Sequence, residues 1–340
     1  MCTKKFPELE LLEKIIAQLG DYAKVEILER VHYENDEFPL YCISLGSDKP
    51  DVPVLAYFGG VHGLEKIGSE IIFAYLQTLI ELLRWDEEFK ARLEKSRLLF
   101  FPLVNPVGVF RSTRCNGNGV DLMRNSPIKA SGERKFYSGQ RLTPHLPWYQ
   151  GKPEQMESEA EALCDVVKRC TSQASLTITV DLHSGFGIED RLWFPYAYCK
   201  EPYPDIAQAF AWKQLFERCY PHHFYKIEPM SQEYVIEGDL WDYLYQDFLQ
   251  TNNGQRLFLP LTLEMGSWLW LRKNPRHVFM KHGLFHPLLP HRQQRVLRRH
   301  LILFDFLYRS LLSPDSWSKL DIMQMEEYRQ QALRLWYSKC

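Results

Sequence analysis

His62 and Glu65 stand three residues apart, and a third potential ligand, His183, closes an apolar run far downstream. Two imidazoles and a carboxylate are donors that suit Zn²⁺, and three protein ligands leave a fourth position free, as catalytic zinc requires. The implied cofactor is one Zn²⁺ per chain. A His-x-x-Glu pair alone says little in a chain with 11 His, so its weight comes from where the residues fall.

Val52–Phe58 is a short apolar run broken by Gly59-Gly60, and His62 and Glu65 follow at once. Thr177–Leu182 is a second run with His183 next, Arg97–Val104 a third leading to Asn105-Pro106 and the Arg111/Arg114 loop, and Leu257–Leu263 a fourth leading into Glu264. Short apolar runs bounded by turn residues read as buried strands. In an open, mostly parallel sheet such strand ends share one edge, which is where ligands bind. Lys24–Arg30 and Leu40–Leu45 read as further strands, and Glu8–Leu19, Ser69–Leu83 and Ser158–Cys170 as helices. Ser158 with Glu161 three residues on predicts a capping box. Ser126–Pro153 is long and aperiodic, the kind of loop that walls a site. Strands alternating with helices imply an α/β fold.

The motifs resemble those of the M14 zinc carboxypeptidases, in order from Val61 to Glu264. Val61-His62-Gly63-Leu64-Glu65 is similar to that family's first metal motif and Asn105-Pro-Val-Gly108 to its Asn-Pro-x-Gly loop. Arg114-Cys-Asn-Gly-Asn-Gly-Val-Asp121-Leu-Met-Arg124-Asn125 resembles a stretch of the compact bacterial members. Tyr149-Gln-Gly-Lys-Pro with Ser158-Glu-Ala-Glu161, Asp181-Leu-His-Ser184 and Thr262-Leu-Glu264 complete the series. The resemblance implies a three-layer α/β/α fold with a mixed, largely parallel central sheet. It further implies that His62, Glu65 and His183 ligate zinc, Glu264 is the general base and Arg114 stabilises the oxyanion. Asp121 would accept from His62, Arg124 would bind a terminal carboxylate, Tyr234 would cover the substrate and Trp241 would line the specificity pocket. Met123 departs from the pattern, because the family has Asn there. An amide donor is replaced by a thioether, which only accepts weakly.

The 340 residues, 45% hydrophobic, read as one catalytic domain over 1–340 with a helical C-terminal extension from about 292 to 340. A net charge of −2 argues against nucleic acid as partner, and the basic Arg292–Arg299 segment reads as a solvated helix face. No apolar run approaches the ~18 residues of a membrane span, and the N-terminus lacks the apolar core of a signal peptide. Eight Cys without a C-x-x-C pair fit reduced thiols in the cytoplasm. The expected activity is that of a zinc metallocarboxypeptidase hydrolysing an amide bond near the C-terminus of small or unusual peptides. The alternatives are an N-acyl amino acid amidohydrolase of the related succinylglutamate desuccinylase/aspartoacylase branch, and an inactive peptide-binding scaffold.

Overall fold

The computed structural model describes residues 5–338 except 133–134, 253, 255, 274 and 281. Eight strands form one sheet: β1 (Ala23–Tyr33), β2 (Asp36–Gly46), β3 (Val54–Gly59), β4 (Arg97–Phe101), β5 (Leu176–Ser184), β6 (Arg191–Phe194), β7 (Lys226–Pro229) and β8 (Leu257–Met265). Their order is β1-β2-β4-β3-β5-β8-β6-β7. The centre, β4-β3-β5-β8, is parallel, whereas β1, β2 and β4 are joined antiparallel and β6 runs antiparallel to β8. β3 and β5 are buried at every position, so they read as unbroken apolar runs rather than alternating ones.

Helices cover the sheet. Lys66–Trp85 turns an apolar face of Ile67, Ile71, Ile72, Leu76 and Leu79 inward, at the spacing an amphipathic helix needs. The C-terminal helices, Pro290–Arg299, Leu301–Leu312 and Ile322–Trp336, share the main core. Phe304 lies 4.5 Å from the Tyr57 ring of β3, centroid to centroid. Along Pro290–Arg299, Arg295 and Arg298 are exposed, while Arg299 reaches back to pair with Asp190.

The helix predicted at Ser158–Cys170 runs Ser158–Gln173, but the capping box does not form. Ser158 is already helical, and the cap position belongs to Glu157, whose side chain makes no capping hydrogen bond. Glu157 Oε2 instead accepts from Asn116 and Asn118 of the neighbouring loop. β6 and β7, four residues each, are too short to show a period in the sequence.

Candidate metal centre and active site

The parallel centre of the sheet brings the C-terminal ends of β3, β5 and β8 together. His62 and Glu65 follow β3, and His183 of β5 is the register partner of Glu264 of β8. Asn105 fixes the loop that holds His62. Its Oδ1 accepts from Gly108 N–H at 2.8 Å, capping the helix Pro106–Arg111, and its Nδ2 donates to Val61 carbonyl at 3.1 Å. Gly63 is required there because a Cβ would stand 1.9 Å from the Gly108 carbonyl carbon, a backbone-to-backbone collision. The Asn-Pro-x-Gly word is thus a clamp on the loop that presents His62 and Glu65.

The three expected ligands converge. One ligand atom from each of His62, Glu65 and His183 lies within 4.8 Å of the others, and all three side chains are buried. Glu65 Oε1 is 2.9 Å from His62 Nδ1, Glu65 Oε2 is 3.0 Å from His183 Nδ1, and the two Nδ1 atoms are 3.2 Å apart. Each ring turns its other nitrogen to a carboxylate: His62 Nε2 is 3.0 Å from Asp121 Oδ1, and His183 Nε2 is 2.8 Å from Asp181 Oδ2. In the neutral ring a carboxylate at Nε2 holds the one proton there and turns the Nδ1 lone pair toward the ligand cluster, the tautomer a metal needs. The donor set therefore fits Zn²⁺, with two imidazoles and one carboxylate. Burial by itself would raise the Glu65 carboxyl, but His62 and His183 outweigh it and hold the group well below the usual carboxylate range. Burial by itself would lower His183, and Asp181 with Glu65 outweighs that and holds it well above an ordinary imidazole.

Asp121 organises three groups at once. Besides meeting His62, it accepts from Arg114 Nε at 2.9 Å and from Arg124 Nη1 at 3.0 Å through Oδ2. Arg114 first, then Arg124 and the contact with His62, outweigh the cost of burial and hold its carboxyl far below the usual range. Asp121 N–H donates to Tyr149 carbonyl, so the Tyr149-Gln-Gly segment backs the loop. Arg114 Nη1 reaches to 3.5 Å from Glu65 Oε1. Arg111, the other arginine of that loop, instead places its guanidinium 4.9 Å over the Tyr33 ring of β1.

Glu264 is 8% exposed, and its Oε1 accepts from Phe186 N–H at 3.0 Å. Burial, and then the neighbouring Glu65, push its carboxyl up to about 8. His62, Glu65, His183, Glu264, Arg114, Arg124, Met123 and Tyr234 all line one cleft of about 910 Å³. The long loop expected to wall a site does so through Tyr137 and Pro144–Trp148.

Trp241 is placed differently from the sequence expectation. It is 3% exposed and is not among the lining residues. It stands in the first turn of the helix Leu240–Thr251, on the side facing the sheet, where its Nε1 donates to Asp181 Oδ2 at 2.9 Å and its ring meets Phe58 edge-on at 4.9 Å. The indole therefore steadies the carboxylate behind His183 and forms no part of the cleft wall. Asp181 itself escaped the residue-by-residue assignment, although its position two before His183 on a strand puts both side chains on one face. Asp181→Ala is expected to weaken zinc affinity about 10–100-fold, the usual cost of losing a carboxylate behind a ligating imidazole, as measured by competition with a chelator.

The description "zinc carboxypeptidase" belongs to the family model that matches this chain, over residues 29–251. The chain belongs to the zinc carboxypeptidase family. Among curated relatives, the rat (Rattus norvegicus) carboxypeptidase N catalytic chain is 23% identical over 246 residues, covering 65% of this chain and 52% of the relative. Carboxypeptidase SOL1 of Arabidopsis thaliana is 30% identical over 109 residues, 31% of this chain and 22% of that protein. This zinc carboxypeptidase domain thus spans about half the length of the rat relative. Bovine thrombin-activatable fibrinolysis inhibitor, solved in complex with a tick carboxypeptidase inhibitor, shares the fold with a TM-score of 0.65 at 16% identity, covering 90% of this chain and 97% of that one. Carboxypeptidase A from Helicoverpa armigera gives 0.57 at 15% identity, over 86% and 71%. No helix among the described residues is long and apolar enough to cross a membrane.

Proposed function

We propose that this family member is a zinc-dependent metallocarboxypeptidase that hydrolyses the amide bond near the C-terminus of small or unusual peptides in the cytoplasm. The observation that supports it most is the alignment of His183 and Glu264 on adjacent strands, with His62 and Glu65 converging on the same edge. His62, Glu65 and His183 would hold one zinc ion, which supplies Lewis-acid polarisation and a more acidic water when bound. Glu264 takes the proton of the attacking water. Its Oε1 is engaged by Phe186 N–H, so the second oxygen holds that proton and passes it to the leaving nitrogen. Arg114, braced by Asp121 through Nε, turns its outer nitrogens toward the side of Glu65 and stabilises negative charge on the carbonyl oxygen. Arg124 receives the substrate carboxylate, and Tyr234 closes over the bound peptide from the cleft wall. Turnover of hippuryl peptides by the zinc-loaded protein tests the reading, and complete inertness with zinc bound counts against it.

A second reading, hydrolysis of a small N-acyl amino acid, is favoured by Met123. This thioether lines the cleft beside Arg124, whose Nη1 and Nη2 are already engaged by Asp121 and by the Tyr137 carbonyl. If a terminal carboxylate is nevertheless recognised, Arg124→Ala is expected to raise KM by about 10–100-fold, since an ionic hydrogen bond contributes ~1.5–3 kcal/mol. Met123→Asn, which restores an amide donor, is expected to improve turnover of hippuryl peptides. A native protein that cleaves N-acyl amino acids well, with hippuryl peptides inert even after Met123→Asn, assigns the amidohydrolase activity instead.

A further inference from the structure

Two segments border the mouth of the cleft, and the sequence loads both with the same charge. The loop 126–153 carries five Lys or Arg against Glu133, and the stretch 268–286 carries four against no Asp or Glu, in a chain whose net charge is −2. Both reach the cleft, the first through Tyr137 and Pro144–Trp148 and the second through Trp268, Leu284 and Phe285. A chain of ring contacts joins them across the mouth. Phe136 meets Trp148 at 5.6 Å between centroids, Trp148 meets Tyr137 at 6.4 Å, and Tyr137 meets Tyr234 at 5.7 Å. Phe186 then lies between Tyr234 and Trp268, at 5.7 and 5.9 Å. Phe186 and Tyr234 pack on a small apolar cluster of Trp193, Ala197, Met230 and Ile236, which gives these rings a fixed base. Trp268 Nε1 donates to the Gly185 carbonyl at 2.8 Å, pinning the second segment beside the end of β5.

Outside this band of rings, each segment holds apolar side chains in water. Leu142 is 79% exposed and Phe279 91%, and Phe136 and Met280 are about half exposed. None of the four lines the cleft. Single exposed apolar residues are ordinary, but a group of them around one opening marks an interaction surface. Lys135, Arg141, Arg272 and Arg276 are exposed among them. The neighbouring loop after β5 adds exposed Ile188 and one exposed carboxylate, Glu189, 3.9 Å from Arg191. The pairing of apolar tips with positive charge decides the partner. A peptide held in the cleft does not cover side chains that stand outside it, and a second copy of the chain would bring like charge to like. Nucleic acid would meet the basic groups and leave Leu142 and Met280 in water. The surface of an anionic bilayer satisfies both, because ring and aliphatic side chains enter the headgroup layer while Lys and Arg meet the lipid charges.

We propose that these two segments dock the protein on an anionic lipid surface, with Phe136, Leu142, Phe279 and Met280 entering the headgroup layer and the mouth of the cleft facing the membrane. The inference holds whichever amide the cleft hydrolyses, and its test needs no turnover. In sedimentation with vesicles, a mixture of phosphatidylglycerol and phosphatidylcholine in equal parts is expected to retain the zinc-loaded protein at least about 10-fold more strongly than phosphatidylcholine alone, as several basic groups near a charged surface require. Leu142→Ser/Phe279→Ser is expected to weaken that retention about 10-fold through lost apolar burial, and Arg141→Glu/Arg276→Glu by about 10-fold or more through reversed charge. All four positions are exposed, so both variants are expected to fold, as circular dichroism and zinc content check. Brominated lipid is expected to quench tryptophan fluorescence in the native protein and much less in Trp268→Phe, which reports the orientation of the mouth. No retention on the anionic vesicles, or equal retention on the neutral ones, overturns the proposal. Tighter binding to poly-L-glutamate or to a DNA duplex than to the vesicles overturns it in favour of that polyanion. Retention that the charge variant loses and the serine variant keeps in full removes the apolar tips from the interface, and quenching that Trp268→Phe leaves unchanged removes the assigned orientation.

Discussion

Glu264→Gln is expected to keep its zinc and lose turnover by about 10²–10⁴-fold, the usual contribution of a positioned general base. The substitution is close to isosteric, and the amide oxygen can still accept from Phe186 N–H, so the strand end and its register with His183 are preserved. What disappears is the oxygen that takes and returns a proton. Zinc content, measured beside kcat on a hippuryl substrate, separates this from loss of metal, and near-native turnover would remove Glu264 from the mechanism. Stability gives a second check with the opposite sign. In the metal-free protein, burial and Glu65 raise this carboxyl from 4.5 to about 8. A raised carboxyl is harmless below its ordinary value and destabilises the fold increasingly as pH climbs toward the folded value. Metal-free Glu264→Gln should therefore gain thermal stability relative to the native protein as pH rises from 4.5 to about 8. A constant difference across that range would mean the buried carboxyl is not strained by its surroundings.

The candidate metal ligands were legible in the sequence because each sits at or just past the C-terminal end of a buried parallel strand, and such strands leave an unbroken apolar signature. The motif words supplied order, and the register of β5 with β8 supplied what words lack, namely that His183 and Glu264 are neighbours. Asp181 was also within reach, since a period of two from His183 aims both at one face. Trp241 was misplaced because a resemblance between sequences cannot say which side of the helix Leu240–Thr251 meets the sheet. The small apolar cluster around Trp193 was illegible for a related reason. Phe186, Trp193, Met230 and Ile236 come from a loop, a four-residue strand, a single helical turn and another loop. Only tertiary packing joins them, and none has a spacing to the others that a sequence pattern could report.

His183→Ala is expected to lose most of the zinc, and His62→Ala/His183→Ala to lose all of it, from an initial content of about one ion per chain. The argument lies in how the imidazoles are held. Asp121 and Asp181 fix both rings through Nε2, so each Nδ1 is preoriented toward Glu65, and removing one ring takes away a donor that no neighbour replaces. Among the described residues no other group of His, Cys, Asp and Glu converges as a metal site. The same geometry dictates a pH dependence. In the metal-free protein Asp181 and Glu65 favour the protonated form of His183, and a metal takes only the neutral ring. Zinc must therefore displace a proton from Nδ1, so affinity falls as pH falls, and calorimetric titrations in buffers of different ionisation enthalpy should report proton release on binding. Glu65 imposes no such cost, because its carboxyl is already ionised far below neutrality. A double variant that still holds one zinc per chain would sink the site, since the ion would then depend on residues that neither strand end supplies.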